Sequence, residues 1–317
     1  MKKAGLLLLL LAPLAVFAQQ NGSESTSPAG TIATTGNFPI ERVETPNAAD
    51  LYCAGFIGKG LPSREKFVGG GLESPDTTRF HTGDTIFLSG GGYDAGQQFT
   101  VVRELHDINR YELFKGQWSA LKAAGEPFEE VARVRVIDNR SKMAIAQVEF
   151  SCDAVVPGDF VIPFVEKSTI VFHSPIQFDR FAPANNQLTG RILMAKDFDS
   201  QLGTGSKVYV NIGASHGLKV GDYLRAVRSY TADAHDPVDS LSFKASATES
   251  TQKRQAAIDP NFMTATGGPV VHVANMPRRA LAEIVIIGTT PSTATGMIVF
   301  AMEPVHLGDK VELDPQQ

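Results

Sequence analysis

A stretch of 32 residues recurs 150 positions downstream without a gap: residues 131–162, VARVRVIDNRSKMAIAQVEFSCDAVVPGDFVI, match residues 281–312, LAEIVIIGTTPSTATGMIVFAMEPVHLGDKVE. Eight of the pairs are identical, among them Ile137/Ile287, Phe150/Phe300, Gly158/Gly308 and Asp159/Asp309, and others such as Val134/Ile284 exchange one aliphatic for another. A duplication constrains the architecture before any single motif does, because both copies must satisfy one fold. Each copy holds two runs of apolar alternation around a polar turn, residues 138–142 and 289–292, followed by a Gly-Asp turn and a short strand. Period-two alternation rich in β-branched residues marks an antiparallel hairpin with one buried face.

The repeat extends upstream. Residues 83–88 match 205–210, residues 96–103 match 221–228, and residues 54–57 pair with 189–192. The chain therefore reads as all-β, with two tandem modules at 51–164 and 187–314, each a small barrel or sandwich of SH3-like kind. Two copies are too few for a solenoid, so each module must close its own core.

Ahead of the modules, Lys2 and Lys3 precede an apolar run over residues 6–17 and the small residue Ala18. This is the pattern of a secretory signal peptide over residues 1–18. The run is shorter than the ~20 apolar residues a membrane span requires, and no cysteine follows the expected cut, which argues against lipoprotein processing. Residues 19–50 are rich in Ser, Thr, Gly, Asn, Pro and Ala, too polar to offset ordering entropy, and read as a disordered linker. The expected location is the periplasm or cell envelope of a bacterium, with no transmembrane segment after cleavage. Loss of Lys2 and Lys3 leaves 27 basic against 34 acidic side chains. That balance argues against nucleic acid as a partner, since phosphate binding relies on clustered Lys and Arg.

The two cysteines, Cys53 and Cys152, bracket the first module. In an oxidising compartment they read as one disulfide joining its first and last strands; the rival reading, a catalytic thiol, needs an activating histidine nearby. Two insertions fall at equivalent places. Residues 109–130 read as an ordered excursion with a helical turn, and residues 231–268 as a flexible insertion with one weak helix near 250–258. The bridge over 165–186 is too apolar for a free linker and is expected to pack across the modules. Its aromatics Phe172, Phe178 and Phe181 are the candidate contact surface, with interdomain core as the alternative.

Gly213, Ser215 and Gly217 satisfy G-x-S-x-G, the nucleophile elbow of α/β-hydrolases, but a strand rather than a helix follows. A tight inter-strand turn is the competing reading, and an envelope hydrolase using Ser215 is the alternative function. The seven histidines show no H-x-x-x-H spacing and the cysteines are far apart, so no metal is expected. The glycine runs at 69–71 and 90–92 lack the Gly-Lys-Ser/Thr ending of a phosphate loop, so no cofactor is expected. Gly158-Asp159 and Gly308-Asp309 read as structural turns in which Asp accepts backbone hydrogen bonds.

VYVNIGASHGLKVGDYLRAVR, RALAEIVIIG and VHLGDKVEL in the second module resemble the small β-module at the C-terminus of the flagellar assembly protein T. In the first module, LYCAGFI, GDTIFL, LKAAGEPFEEVARVRV and VVPGDFVIP resemble the region that accompanies LysM domains in bacterial envelope proteins. The resemblance implies a periplasmic, non-catalytic module that binds or scaffolds at peptidoglycan or an envelope assembly. No LysM repeat is present, so direct glycan binding is not carried over.

Overall fold

Strands of alternating polarity cannot bury one face alone, and in this protein they close on themselves twice. The structure, a computed structural model, describes residues 44–60, 63–106, 112–170, 178–185, 187–229 and 277–314, with the backbone of 251–252 and 271–272. The signal peptide, most of the 19–50 linker, Phe172 and nearly all of the 231–268 insertion lie outside the described residues.

The first module contains α1 (Ala48–Tyr52), β1 (Phe56–Gly58), β2 (Phe67–Gly71), β3 (Thr85–Ser89), β4 (Gln98–Glu104), α2 (Gln117–Ala124), β5 (Glu126–Asp138), β6 (Ala144–Ser151) and β7 (Phe160–Pro163). The second contains β8 (Thr189–Ala195), β9 (Gln201–Leu202), β10 (Lys207–Val210), β11 (Tyr223–Arg228), β12 (Thr251–Gln252), β13 (Val271–His272), β14 (Arg279–Thr289), β15 (Ala294–Ala301), β16 (Val305–His306) and β17 (Lys310–Leu313). Barrel 1 runs β5-β4-β7-β2-β3-β6 and closes through β5 against β6, while β1 adds to β5 beyond the barrel. Barrel 2 runs β14-β11-β17-β8-β10-β15, the same order strand for strand. Two tandem antiparallel barrels are therefore what the duplication builds.

Register repeats as faithfully as order. Ala132 faces Ser151 and Val134 faces Val148 in one hairpin, as Ala282 faces Ala301 and Ile284 faces Ile298 in the other. The register shifts between Arg133 and Val134 and between Glu283 and Ile284 fall at the same place. A one-residue slip would turn every core side chain outward, so register is held wherever a face is buried. Val134, Val136, Ala146 and Val148 fill barrel 1, and Ile284, Ile286 and Ile298 fill barrel 2.

One upstream pairing differs from the sequence expectation. The counterpart of β8 is β2, because Gly158 N–H donates to the Val68 carbonyl as Gly308 N–H donates to that of Ile192. Residues 54–57, aligned above with 189–192, instead lead into β1 outside the barrel. A Gly-x-Ile run carries too little pattern to place a strand, whereas the hydrogen bonds of the Gly-Asp turn do so. Of the weak helix expected near 250–258, only residues 251–252 are described: Thr251–Gln252 is extended and pairs with Val271–His272.

The barrels are joined by more than the bridge. Asn47 caps α1 with its side chain, accepting from Ala49 N–H and Asp50 N–H, and Asp50 returns a bond to Asn47 N–H. A helix this short is not stable alone, and this one is held by docking. Leu51 and Ala54 pack on Tyr223, Val285, Met297 and Val299 of barrel 2. Three hydroxyls of barrel 2 then donate to the carbonyls of the strap that follows: Tyr209 to Ala54 at 2.8 Å, Thr295 to Gly55 at 2.9 Å and Thr293 to Ile57 at 2.6 Å. The excursion between β4 and β5 adds α2, whose fully buried Gln117 donates to the Leu193 carbonyl at 3.0 Å. Leu113, Phe114 and Ala124 join the core of barrel 2. The bridge contributes Lys167, which reaches the Glu130 carboxylate at 2.6 Å and the Leu51 carbonyl at 2.7 Å.

The disulfide between Cys53 and Cys152 forms, but not between the first and last strands. Cys53 caps the C-terminus of α1 and Cys152 follows β6, so the bond ties the strap to barrel 1 while the same strap lies on barrel 2.

Candidate functional site

The G-x-S-x-G stretch folds as a 3-10 turn over Ala214–His216 between β10 and β11. Gly213 is required there because a Cβ would lie 2.4 Å from the Thr290 carbonyl oxygen and 2.5 Å from the Thr293 nitrogen. Ser215 N–H donates to the Pro291 carbonyl. His216 Nδ1 accepts from Gly213 N–H at 3.1 Å, which engages that nitrogen in closing the turn.

The Gly-Asp turns do more than accept backbone hydrogen bonds. Asp159 accepts from Val156 N–H at 2.8 Å, and Asp309 accepts from His306 N–H at 2.7 Å. Each carboxylate also receives an arginine from the end of a neighbouring strand. Arg103 Nε meets Asp159 at 2.8 Å and Arg228 Nε meets Asp309 at 2.9 Å, and each guanidinium also donates to a carbonyl, of Ala154 or Pro304. These bidentate pins join β4 to the turn before β7, and β11 to the turn before β17. Sequence reasoning missed them, although the signal was present: both matched segments end in Arg, and both turns keep Asp.

The two copies diverge beside the hairpin end. In barrel 1, Thr82 and Ser151 clasp the gap between two segments, their hydroxyls 3.0 Å apart and each bonded to the other residue's backbone N–H. The corresponding pair in barrel 2 is Thr204 and Ala301, which has one hydroxyl fewer. A cleft of about 340 Å³ opens there, lined by Leu202, Thr204, Ala301, Met302, Glu303 and Pro304 among others. Met302 stands where barrel 1 has Cys152.

The two described bridge aromatics differ in burial. Phe178 is buried with Val227, Ala280 and Phe300, its ring 5.2 Å from that of Phe300 in an edge-on contact, so it is core. Phe181 is 62% exposed. Between them, Arg180 pairs with Glu303 on the cleft rim, and Arg279 Nε reaches the same carboxylate at 2.8 Å.

A buried ionic group lies on the outer wall of barrel 2. Arg225 and Glu283 are cross-strand partners, and Arg225 donates to Asp314 at 2.7 Å with both side chains nearly inaccessible. Glu283 is 3% exposed and one of its carboxylate oxygens has no hydrogen-bond partner. Burial and the neighbouring Asp314 carboxylate push its acid up to about 7, against the pull of Arg225. A carboxyl whose folded value lies above its unfolded value of 4.5 contributes stability that is complete below that pH and lost as pH rises to about 7. Glu283→Gln should therefore match the wild type at pH 4 and exceed it by about 3 kcal/mol at pH 8. Urea unfolding across that range checks this, and a pH-independent difference between the two proteins would remove the buried acid from the account.

Among the described residues, no three His, Cys, Asp or Glu side chains gather in a way that could hold a metal ion. No helix among them is long and apolar enough to cross a membrane. Fold and site together define a duplicated pair of six-stranded antiparallel barrels, stapled by one disulfide, with a cleft in the second copy. Comparison with protein-family models and with curated proteins gives no match.

Proposed function

We propose that the protein is a non-catalytic, exported component of the bacterial cell envelope. It binds or scaffolds an envelope protein or peptidoglycan at the cleft of barrel 2 and the adjoining bridge. The observation that carries this reading is the apolar-walled cleft in barrel 2 where the Thr–Ser clasp is missing, with Glu303 on its rim paired to Arg180, the neighbour of the exposed Phe181. Large exposed aromatics beside a concave surface are the residues that carry binding energy. The disulfide suits an oxidising compartment. The non-catalytic reading is supported by His216, whose Nδ1 is engaged by the turn backbone rather than directed at Ser215.

The test separates docking from folding. Photo-crosslinking from position 181 in growing cells, alongside cosedimentation with purified sacculi, identifies the partner. Phe181→Ala and Met302→Lys should each lower recovery of that partner at least ~10-fold, with melting close to that of the wild type. Phe178→Ala should instead cost about 3 kcal/mol through lost packing on Phe300. Full recovery of the partner by both cleft variants would move docking elsewhere.

A further inference from the structure

The duplication allows the cleft of barrel 2 to be compared, group by group, with the closed place it corresponds to in barrel 1. There, Ser151 N–H donates to the Thr82 hydroxyl at 3.0 Å and Thr82 N–H donates to the Ser151 hydroxyl at 3.2 Å, so two backbone donors are satisfied by two side chains. Their counterparts in barrel 2 are Ala301 and Thr204. Met302 N–H donates to the Leu281 carbonyl, as Cys152 N–H donates to that of Val131. Successive N–H groups of a strand point to opposite sides, so that of Ala301 is directed away from β14 and towards the cleft, as that of Ser151 is directed towards Thr82. Ala301 is only 5% exposed, and among the described residues neither its N–H nor that of Thr204 meets an acceptor. A buried N–H left unpaired is as unfavourable as a lost hydrogen bond. What the cleft lacks is therefore an oxygen where barrel 1 has the Ser151 and Thr82 hydroxyls.

The same strand edge already takes up extended backbone from elsewhere in the chain. Glu44 N–H donates to the Val299 carbonyl at 2.9 Å, two residues before Ala301. The Val299 carbonyl and the Ala301 N–H are an acceptor and a donor on the end of one strand, the first filled and the second open. The electrostatics favour an oxygen at the open position: Glu303, the charged side chain on the rim, is neutralised by Arg180 and Arg279. We propose, on the reading of the cleft as the docking site, that its occupant is an extended peptide segment of the partner protein added to the end of β15. Its backbone carbonyls accept from Ala301 N–H and Thr204 N–H, and an apolar side chain lies on the wall formed by Leu202, Met302 and Pro304. Strand addition draws its affinity from main-chain bonds and its specificity from pockets for alternate side chains, and the cleft supplies one of each.

Peptides of about ten residues, selected from a displayed random library against the chain from residue 19, are the probe, and amide exchange followed by nuclear magnetic resonance is the readout. Without peptide, the Ala301 amide should exchange at least ~10-fold faster than that of Ser151, and bound peptide should slow the Ala301 and Thr204 amides by at least ~10-fold. Ala301→Ser restores the hydroxyl of barrel 1 and should weaken the peptide at least ~10-fold without lowering the melting temperature. Replacing the contacting peptide amide by an ester, whose carbonyl is the poorer acceptor, should weaken it as well. Peptides that bind without protecting these two amides, or that bind Ala301→Ser as tightly as the wild type, would overturn strand addition, as would a library that yields no binder. Peptidoglycan fragments that protect the two amides where peptides do not would overturn it while leaving the envelope reading in place. Failure to capture an envelope partner from position 181 leaves the peptide measurement untouched, so the two failures are distinguishable.

Discussion

Replacing Cys53 and Cys152 together with serine should lower the unfolding free energy of the chain by about 4 to 5 kcal/mol. The bond closes a loop with a sequence separation of 99. In the chain-entropy account, a loop of that order constrains the unfolded chain by about 4.7 kcal/mol. The folded state loses something too, because Cys53 sits between α1, which covers Tyr223 and Val285 of barrel 2, and β1, which pairs with β5 of the first module. Freeing it loosens an element shared by both barrels. Guanidinium unfolding of the oxidised wild type and of the double variant gives the difference. The fluorescence of Trp118, the single tryptophan, reports on the excursion that reaches barrel 2. A loss under about 1 kcal/mol would mean that the unfolded chain is already as restricted without the bond.

The second large effect is expected at the Arg-Asp pins, and it should be unequal between the copies. Asp309→Ala removes the carboxylate that accepts from His306 N–H and from two nitrogens of Arg228, whose side chain is only 10% exposed. Removing one partner of a buried pair costs about 3 to 5 kcal/mol. Asp159→Ala should cost roughly half as much. Arg103 is 29% exposed against 10% for Arg228, so solvent screens more of the charge left behind. Chemical unfolding of the two variants side by side checks the ordering. Equal costs would show that exposure does not govern the pins.

The architecture was legible because it was written twice. A hairpin that recurs with its apolar rhythm intact leaves one register in which both copies bury the same face, and that register is observed at Ala132/Ser151 and Ala282/Ala301. The disulfide followed from counting two cysteines that bracket the first module. The cleft was not legible, because it depends on Ser151 in one copy standing opposite Ala301 in the other, and the importance of that hydroxyl appears only once Thr82 is seen to meet it. Phe178 and Phe181 are both bridge phenylalanines three positions apart. One is core and the other exposed because Phe300 lies beneath the first.

Residue order by itself determined the all-β class, the duplication, the hairpin registers and the cysteine pair, since all four rest on periodicity or on which residue types are present. Only the tertiary structure decided what lies between the barrels. The strap of module 1 covers barrel 2, its carbonyls meet Tyr209, Thr293 and Thr295, and Glu283 is left with one oxygen unpartnered. The physical reason is that burial of an outward-facing residue depends on which distant segment comes to rest on it, and no local pattern in the chain encodes that.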